Sequence, residues 1–347
     1  MNMSISHWQN FLLFTSAFVL VGMLTPLMRK IAINKEILDR PNAAHKSHKD
    51  PVPYLGGVAI VLGIVFVTYG ALLLSNPSKN NFWLATSLLG PAFAMGVIGL
   101  WDDIKSLHPF PRFVGQTIAG VIVATILVLT NNFGNPTGSI KLDIFLTIIW
   151  IVGICNSINF FDNIDGGAAG AIAISAIALA YLTIGNKQQL IAALSLVVAG
   201  ATLGFLIWNK SPARIYMGDS GALFLGVLIA TLTIRLKPQT DSTLVSYSIP
   251  LLLLAIPILD TSVAVVSRIR RNLSPFKGGK DHLSHRLTRS GFSRKNSVFI
   301  LWLLSGLFGL SAILISNLNF NDEIIALTFA ALIWILLFTL FLKKSDS

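Results

Sequence analysis

Long apolar stretches alternate with short polar segments along the whole chain. Eleven of these stretches contain no Asp, Glu, Lys or Arg and could serve as membrane spans, since about 20 mostly apolar residues cross the hydrocarbon core as a helix. They cover residues 1–28, 51–78, 80–101, 113–140, 144–161, 166–186, 188–209, 220–234, 242–259, 296–321 and 324–342. The pattern predicts an all-α, polytopic integral membrane protein with about 11 transmembrane helices in a single domain over residues 1–347.

The composition supports this prediction and explains the charge. Hydrophobic residues make up 54% of the chain and charged residues 12%, against roughly 25% charged in typical soluble domains. The net charge of +11 would favour a nucleic-acid partner in a soluble chain, but the cytoplasmic loops of membrane proteins carry a similar excess. We therefore expect the lipid bilayer, and no nucleic acid, as a partner. The single cysteine, Cys155, excludes an internal disulfide.

The basic residues also predict an orientation. If the N-terminus is outside, five of the 26 Lys and Arg residues fall outside and 21 remain in the cytoplasm. An excess of Lys and Arg in cytoplasmic loops is the usual rule, so we expect the N-terminus outside and the C-terminus in the cytoplasm. The longest polar segments, 30–53 and 268–295, then lie in the cytoplasm, and we expect the active site on that face.

Five acidic residues stand where predicted spans meet the cytoplasm. Asp102 and Asp103 close the third span, Asp162 and Asp165 close the fifth, and Asp219 opens the eighth. Carboxylates near a bilayer are costly, and adjacent like charges repel, so a divalent cation would explain the cluster. Mg²⁺ needs one or two carboxylates besides phosphate oxygens and water, which leaves other acids for proton transfer. A helix-capping role for Asp219 is compatible with metal binding.

A polar ridge precedes two of these acids. Asn156, Asn159, Asp162 and Asp165 follow each other at i, i+3 spacing, which makes them neighbours on a helix surface. An interhelical hydrogen-bond seam is the structural alternative. The two acids and the Gly166-Gly167 pair that follows favour a functional ridge.

Two cytoplasmic loops add basic and histidine side chains. The loop at 268–295 contains nine basic residues together with His282 and His285, and we expect the two histidines and Arg286 to contact phosphate, because a zinc site lacks a third soft ligand nearby. Asp260 is expected to be a buried acid, paired with Arg268 on the same helix face, in a helix that Pro257 bends.

The first inner loop contains His48 and ends at Gly56-Gly57. Glycines at a helix N-terminus let an anion approach the backbone N–H groups, or they allow close helix packing, and the sequence leaves both alternatives open. Neither a P-loop nor a Rossmann fingerprint occurs in the chain, so ATP hydrolysis and hydride transfer have no support.

Five motifs follow one another between residues 39 and 287. They are the Pro/His/Lys loop ending in Gly56-Gly57, Asp102-Asp103 with Lys105, Asn159-x-x-Asp162-x-x-Asp165-Gly166, Met217-Gly218-Asp219-Ser220-Gly221, and the histidine loop. In this order they resemble the polyprenyl-phosphate N-acetylhexosamine-1-phosphate transferase family, of the glycosyltransferase family 4 type. These are membrane enzymes that move a sugar-1-phosphate from a UDP-sugar to a lipid phosphate. The histidine loop looks like the branch that uses GlcNAc-1-phosphate, although Ser284 stands where that branch usually has histidine.

The resemblance implies transfer of GlcNAc-1-phosphate from a UDP-sugar to undecaprenyl phosphate, with release of UMP, in the bacterial cytoplasmic membrane. Mg²⁺ is the implied cofactor, with Mn²⁺ as the other option, and a homodimer is left as an open alternative. Another UDP-N-acetylhexosamine or the UDP-MurNAc-pentapeptide remains an alternative substrate, and a multi-span transporter is a more distant alternative function. The implied roles are catalytic for Asp102, Asp103, Asp162, Asp165 and Lys105, metal-binding for Asp219 and Asp102, and substrate-binding for Asn159, His282, His285, Arg286, His48, Gly56 and Gly57.

Overall fold

A computed structural model of the chain describes residues 6–39, 51–75, 79–134, 136–240, 242–274 and 279–343. Over these residues the protein is almost entirely helical, which confirms the predicted all-α class. The helices are α1 (His7–Asn34), α2 (Gly56–Leu74), α3 (Lys79–Lys105), α4 (Pro109–Thr130), α5 (Ile140–Phe161), α6 (Gly167–Gly185), α7 (Gln189–Asn209), α8 (Gly218–Ile234), α9 (Thr243–Leu253), α10 (Ala255–Arg270), α11 (Leu283–Arg289), α12 (Arg294–Ile315) and α13 (Phe320–Lys343). Two short strands, β1 (Leu38–Asp39) and β2 (Val52–Pro53), pair antiparallel.

The apolar helices correspond to the eleven predicted stretches. Among the described residues, nine helices are long and apolar enough to cross a membrane, namely α1 to α7, α12 and α13. The bent pair α9 and α10 would make a tenth span, and α8 is an apolar helix of 17 residues. The chain is therefore a polytopic membrane protein, while the count of eleven crossings and the orientation stay predictions.

Helix α8 lies at the centre of the bundle. It is apolar around its whole circumference and buried along almost its entire length, as expected for a helix surrounded by protein. Its neighbours approach closely because they present glycine: an added Cβ on Gly57 would lie 2.1 Å from Gly221 N, and one on Gly99 would lie 2.3 Å from Asp219 O. These contacts fix the first turn of α8 between α2 and α3.

The break between α9 and α10 has a local cause. Pro257 has no N–H to donate to the carbonyl of Leu253, and the hydroxyl of Ser175 donates to that carbonyl instead, at 2.6 Å. The two helices meet at Leu254 with a bend of 76°. The bend therefore lies just before Pro257, in the helix where the sequence predicts it.

Candidate active site

The ends of α3 and α5 meet the beginning of α8 at one end of the bundle, which we call the acidic end. Asp103, near the end of α3, accepts hydrogen bonds from the backbone amides of Asp219 at 2.7 Å and Ser220 at 3.0 Å. Gly218 lies against this carboxylate with a φ of +69°, a conformation that favours glycine. Asp103 thus caps α8 from a neighbouring helix and fixes the position of Asp219.

Asp102 and Asp219 face one shared cation. Nη1 of Arg112, in the first turn of α4, lies 2.7 Å from Oδ2 of Asp102 and also contacts Oδ2 of Asp219. The second oxygen of Asp102 accepts a hydrogen bond from Leu107 N. The second oxygen of Asp219 accepts one from the side-chain amide of Asn159 at 2.7 Å. The structure thus brings together three predicted site residues, Asp102, Asp219 and Asn159, around an arginine that the sequence did not single out.

The sequence contained one signal for Arg112. It follows the Asp102-Asp103 pair after a connection of only three residues, 106–108, so it had to lie near them. The orientation of the chain accounts for its charge, and its contact with Asp219 does not follow from spacing, because the two residues lie 107 positions apart.

The predicted polar ridge lies on α5 only in part, because the helix ends at Phe161 and the two acids Asp162 and Asp165 follow its end. Asn156 donates a hydrogen bond to Gln116 of α4 at 2.6 Å, which is an interhelical seam. Asn159, further along α5, reaches Asp219, and Asp165, in the segment after α5, accepts a hydrogen bond from Ala213 N at 3.1 Å. Asp165 therefore fixes the segment that leads into α8.

Asp162 differs from the other four acids of the acidic end. Among the described residues, no donor forms a hydrogen bond with its carboxylate. Burial, and to a smaller extent the nearby carboxylates of Asp219, Asp103 and Asp165, raise the pKa of Asp162 to about 7. Asp162 can therefore gain or lose a proton near neutral pH.

Lys105 forms no ion pair with a carboxylate among the described residues. Its side chain is exposed, and its ammonium group stands 5.8 Å from the centre of the Trp101 ring. Contact between Lys105 and a phosphate stays a prediction.

The histidine loop is anchored by a buried carboxylate, although its partner differs from the expected one. Asp260 is fully buried, as predicted, but it contacts His282 Nδ1 at 2.7 Å and accepts a hydrogen bond from Leu283 N at 2.7 Å. Arg268 instead pairs with Asp281, at 3.0 Å. The expected pairing of Asp260 with Arg268 is therefore corrected: the loop folds back over α10 and supplies nearer partners for both.

Arg286 and His285 occupy different environments in this loop. Arg286 has no exposed surface, and it donates hydrogen bonds to the carbonyls of Asp281 and Phe341, both at 2.7 Å. Its guanidinium thus holds the loop against the end of α13, and contact between Arg286 and a phosphate stays a prediction. His285 is partly buried, and burial, followed by the charge of His282, lowers its pKa to about 4. His285 is therefore neutral at pH 7.

The first loop is attached to the segment before α8. Gly56 N donates to Tyr216 O at 3.0 Å, and Gly57 N donates to Met217 O at 2.8 Å. An added Cβ on Gly56 would lie 2.5 Å from Tyr216 O. These amides are already hydrogen-bonded, which corresponds to the packing alternative and gives no support to anion binding there. His48 lies outside the described residues.

Two cavities open beside the acidic end. The first, which we call the lateral groove, has a volume of about 880 Å³ and is mostly apolar. Its polar lining comes from His108, Arg112, Gln116, Asn156, Ser157, Asn159 and Thr261, and its apolar lining includes Phe113, Trp150, Phe160, Leu251 and Val265. The second, which we call the basic cavity, has a volume of about 360 Å³ and lies at the histidine loop. Its lining includes Asn163, Lys280, Ser284, His285, Arg289 and Arg294.

The fold and site define a polytopic membrane protein with converging carboxylates at the ends of its helices, next to an apolar groove and a cation-rich cavity. The chain belongs to glycosyl transferase family 4, as the order of its motifs predicted. The family model matches residues 85–237.

Relatives extend this similarity over nearly the whole chain. A Bacillus subtilis protein named "Probable undecaprenyl-phosphate N-acetylglucosaminyl 1-phosphate transferase" is 33% identical, over 95% of this chain and 87% of the relative. The "Decaprenyl-phosphate N-acetylglucosaminephosphotransferase" of Mycobacterium tuberculosis is also 33% identical, over 80% of this chain and 74% of the relative. A "Phospho-N-acetylmuramoyl-pentapeptide-transferase" of Desulforamulus reducens is 28% identical, over 87% of this chain and 92% of the relative.

Proposed function

We propose that the chain transfers GlcNAc-1-phosphate from a UDP-sugar to undecaprenyl phosphate in the bacterial cytoplasmic membrane, with release of UMP. The observation that carries the proposal is the junction between the lateral groove and the acidic end, where Arg112 and Asn159 both line the groove and contact Asp219. The relatives named for GlcNAc support the sugar, since they are 33% identical whereas the N-acetylmuramoyl-pentapeptide relative is 28% identical.

The lateral groove suits a lipid phosphate. Apolar side chains such as Phe113 and Val265 line most of it and can cover a polyprenyl chain. Arg112, Gln116 and Asn159 supply hydrogen-bond donors where the groove reaches the carboxylates. A lipid that enters from the bilayer would therefore present its phosphate to the acidic end.

The basic cavity suits the nucleotide sugar. Lys280, Arg289 and Arg294 supply positive charge for a diphosphate. His285 is neutral at pH 7, so its ring can donate a hydrogen bond to a sugar hydroxyl or an amide oxygen, or accept one from a hydroxyl or an amide N–H. Ser284, which stands where the related branch has histidine, donates to Asn163 and so joins the histidine loop to the end of α5.

The residues of the acidic end fit a Mg²⁺ ion, with Mn²⁺ as the other option. Oxygens of Asp102 and Asp219 converge on one nitrogen of Arg112, so the fold already places a positive charge between them. Within the part of the chain that the structure describes, no three His, Cys, Asp or Glu side chains form a ready metal cage. An ion held by Asp219 and Asp102 would thus complete its coordination with phosphate oxygens and water, as Mg²⁺ commonly does.

The chemistry is a displacement at phosphorus. An oxygen of the lipid phosphate forms a bond to the β-phosphorus of the UDP-sugar, the bond from that phosphorus to the bridging oxygen breaks, and UMP leaves with that oxygen. A divalent cation would neutralise charge on the diphosphate. Asp103 positions Asp219, Asp162 accepts the proton that the attacking lipid phosphate loses, and His282 and Lys105 contact phosphate. A covalent phospho-aspartate that can be isolated would instead support a two-step route.

Purified full-length protein with undecaprenyl phosphate and Mg²⁺ tests the proposal. The panel contains UDP-GlcNAc, UDP-GalNAc and UDP-MurNAc-pentapeptide, and UMP release is measured for each. We expect the highest kcat/KM with UDP-GlcNAc and a lipid product that retains the anomeric oxygen. A preference for the pentapeptide substrate would overturn the sugar assignment, and no UMP with any substrate would overturn the transferase itself.

A further inference from the structure

Arg112 holds a position that needs an explanation beyond charge balance. Its Nη1 contacts oxygens of both Asp102 and Asp219, at the point where the two carboxylates converge. The residue stands in the first turn of α4, where the positive end of the helix dipole disfavours a cation. The two carboxylates, which would otherwise repel each other, compensate for that placement.

A metal ion that bridges the same two oxygens would compete with Arg112 for the space between them. A Mg²⁺ ion lies at about 2.1 Å from its ligand oxygens, so an ion between these oxygens would stand almost where the guanidinium nitrogen stands, and the two positive charges would repel each other. Arg112 Nη1 is 2.7 Å from Asp102 Oδ2 and also touches Asp219, so it fills the space between the acids. Metal binding to both carboxylates requires this side chain to move.

The structure gives the side chain a place to move to. The backbone of Arg112 is held close to Asp102 by the three-residue connection 106–108, whose Leu107 amide bonds to Asp102. The side chain itself is about one quarter exposed and lines the lateral groove. An arginine presents a planar set of donors that can bind two phosphate oxygens at once, which suits the head of a lipid phosphate in that groove.

We propose that Arg112 is an exchangeable counter-ion: it holds Asp102 and Asp219 together before a divalent cation binds, and it then turns into the lateral groove to bind the lipid phosphate. This inference rests on the proposed function. Arg112 would thus contact the acceptor lipid directly and couple its binding to that of the metal. By thermodynamic linkage, the cation and the lipid phosphate must each raise the affinity of the protein for the other by the same factor.

The proposed coupling between Mg²⁺ and the lipid phosphate predicts tighter Mg²⁺ binding when Arg112 is removed, whereas an arginine with a purely structural role predicts the opposite. Arg112→Gln removes the cation that competes for the carboxylates, so the variant should bind Mg²⁺ more tightly than the wild type, by about fivefold or more. It should also lose most of the Mg²⁺ dependence of lipid-phosphate binding. An arginine that only supports the fold would give weaker Mg²⁺ binding when removed, because the acids would separate.

Isothermal titration calorimetry on the full chain in nanodiscs tests the proposal, with Mg²⁺ and farnesyl phosphate as the titrants. Arg29→Gln is the matched control, since Arg29 hydrogen-bonds the Arg214 carbonyl and no carboxylate among the described residues. Its Mg²⁺ affinity should equal that of the wild type. Arg112→Lys, which keeps the charge, should bind Mg²⁺ no more tightly than the wild type.

The outcomes separate this inference from the proposed function. Unchanged or weaker Mg²⁺ binding by Arg112→Gln overturns the counter-ion role, even if the wild type releases UMP from a UDP-sugar. If the variant fails to fold, the wild type still decides: equal farnesyl phosphate affinity with and without Mg²⁺ overturns the coupling. Absence of UMP release by the wild type contradicts the proposed function, and the Mg²⁺ and farnesyl phosphate affinities then still test the counter-ion role by themselves.

Discussion

Replacing Asp103 with Asn tests how the acidic end is held together. The carboxylate of Asp103 accepts hydrogen bonds from two backbone amides in the first turn of α8, at 2.7 and 3.0 Å. An Asn side chain offers one acceptor oxygen and presents an NH₂ donor to the second amide. One N–H of α8 would therefore face another donor in a partly buried place.

The size of the effect follows from these contacts. A buried N–H without an acceptor costs about 1–3 kcal/mol, and loss of a negative charge at a helix N-terminus costs about 0.3–1 kcal/mol more. We expect Asp103→Asn to lower the free energy of unfolding by about 2–3 kcal/mol. In a chain of this size that corresponds to a decrease in Tm of about 3–4 °C.

The chain provides its own probe for this measurement. Cys155 is the single cysteine and is completely buried, so a thiol-reactive fluorophore reports unfolding of the detergent-solubilised protein. Asp162→Asn is the control, because Asp162 accepts no hydrogen bond within the described residues, and its Tm should not decrease. An Asp103→Asn variant with wild-type Tm and no activity would refute the capping role and make Asp103 a participant in the chemistry.

The protonation of Asp162, the anchoring of the histidine loop by Arg286 and the close packing at Gly57 can each be tested by substitution. The pKa of Asp162 is about 7 in the folded protein and about 3.9 in the unfolded chain, so this residue favours the folded state at low pH and its contribution to stability is lost as the pH rises through 7. Asp162→Asn should therefore raise the Tm at pH 8.5 more than at pH 5.5. An equal change in Tm at both pH values would contradict the raised pKa. Arg286→Met should lower the Tm of the protein, since two buried carbonyls lose their donor. If anchoring is the whole role of Arg286, the KM for the UDP-sugar in residual activity changes less than twofold; a large KM increase with unchanged Tm would instead support its contact with phosphate. Gly57→Ala should disrupt expression or lower the Tm by at least several degrees, because the added Cβ would lie 2.1 Å from Gly221 N. Gly70→Ala on the same helix has open space around it and should behave as the wild type. Equal behaviour of the two variants would contradict the close packing of α2 on α8.

The sequence predicted the helices and the end of the bundle that carries the acids, because both depend on local patterns. Apolar stretches with charges at their ends define the spans, and the positions of Asp102, Asp162 and Asp219 follow from where those spans stop. The order of the motifs was sufficient to predict the family, which the relatives confirm.

Individual partners could not be predicted, because they depend on how helices distant in sequence pack together. Asp102 and Asp103 are adjacent in the chain, yet successive residues on a helix point about 100° apart, so one contacts Arg112 and the other caps α8. Asp260 and Arg268 share a helix face, but the fold brings His282 to the first and Asp281 to the second. Spacing within one helix carries no information about such neighbours.

The most direct test of the central claim is UMP release by two carboxylate variants with undecaprenyl phosphate, UDP-GlcNAc and Mg²⁺. Asp219→Asn changes an acid of the acidic end, while Asp143→Asn changes a buried acid at the opposite end of α5, where it accepts a hydrogen bond from Thr137 N. We expect the first variant to lose turnover by at least about a hundredfold, in line with the loss of an electrostatic group at a reacting centre, and to retain the wild-type Tm within a few degrees. The second should retain turnover. Wild-type turnover by a folded Asp219→Asn variant would contradict the assignment of the acidic end as the active site.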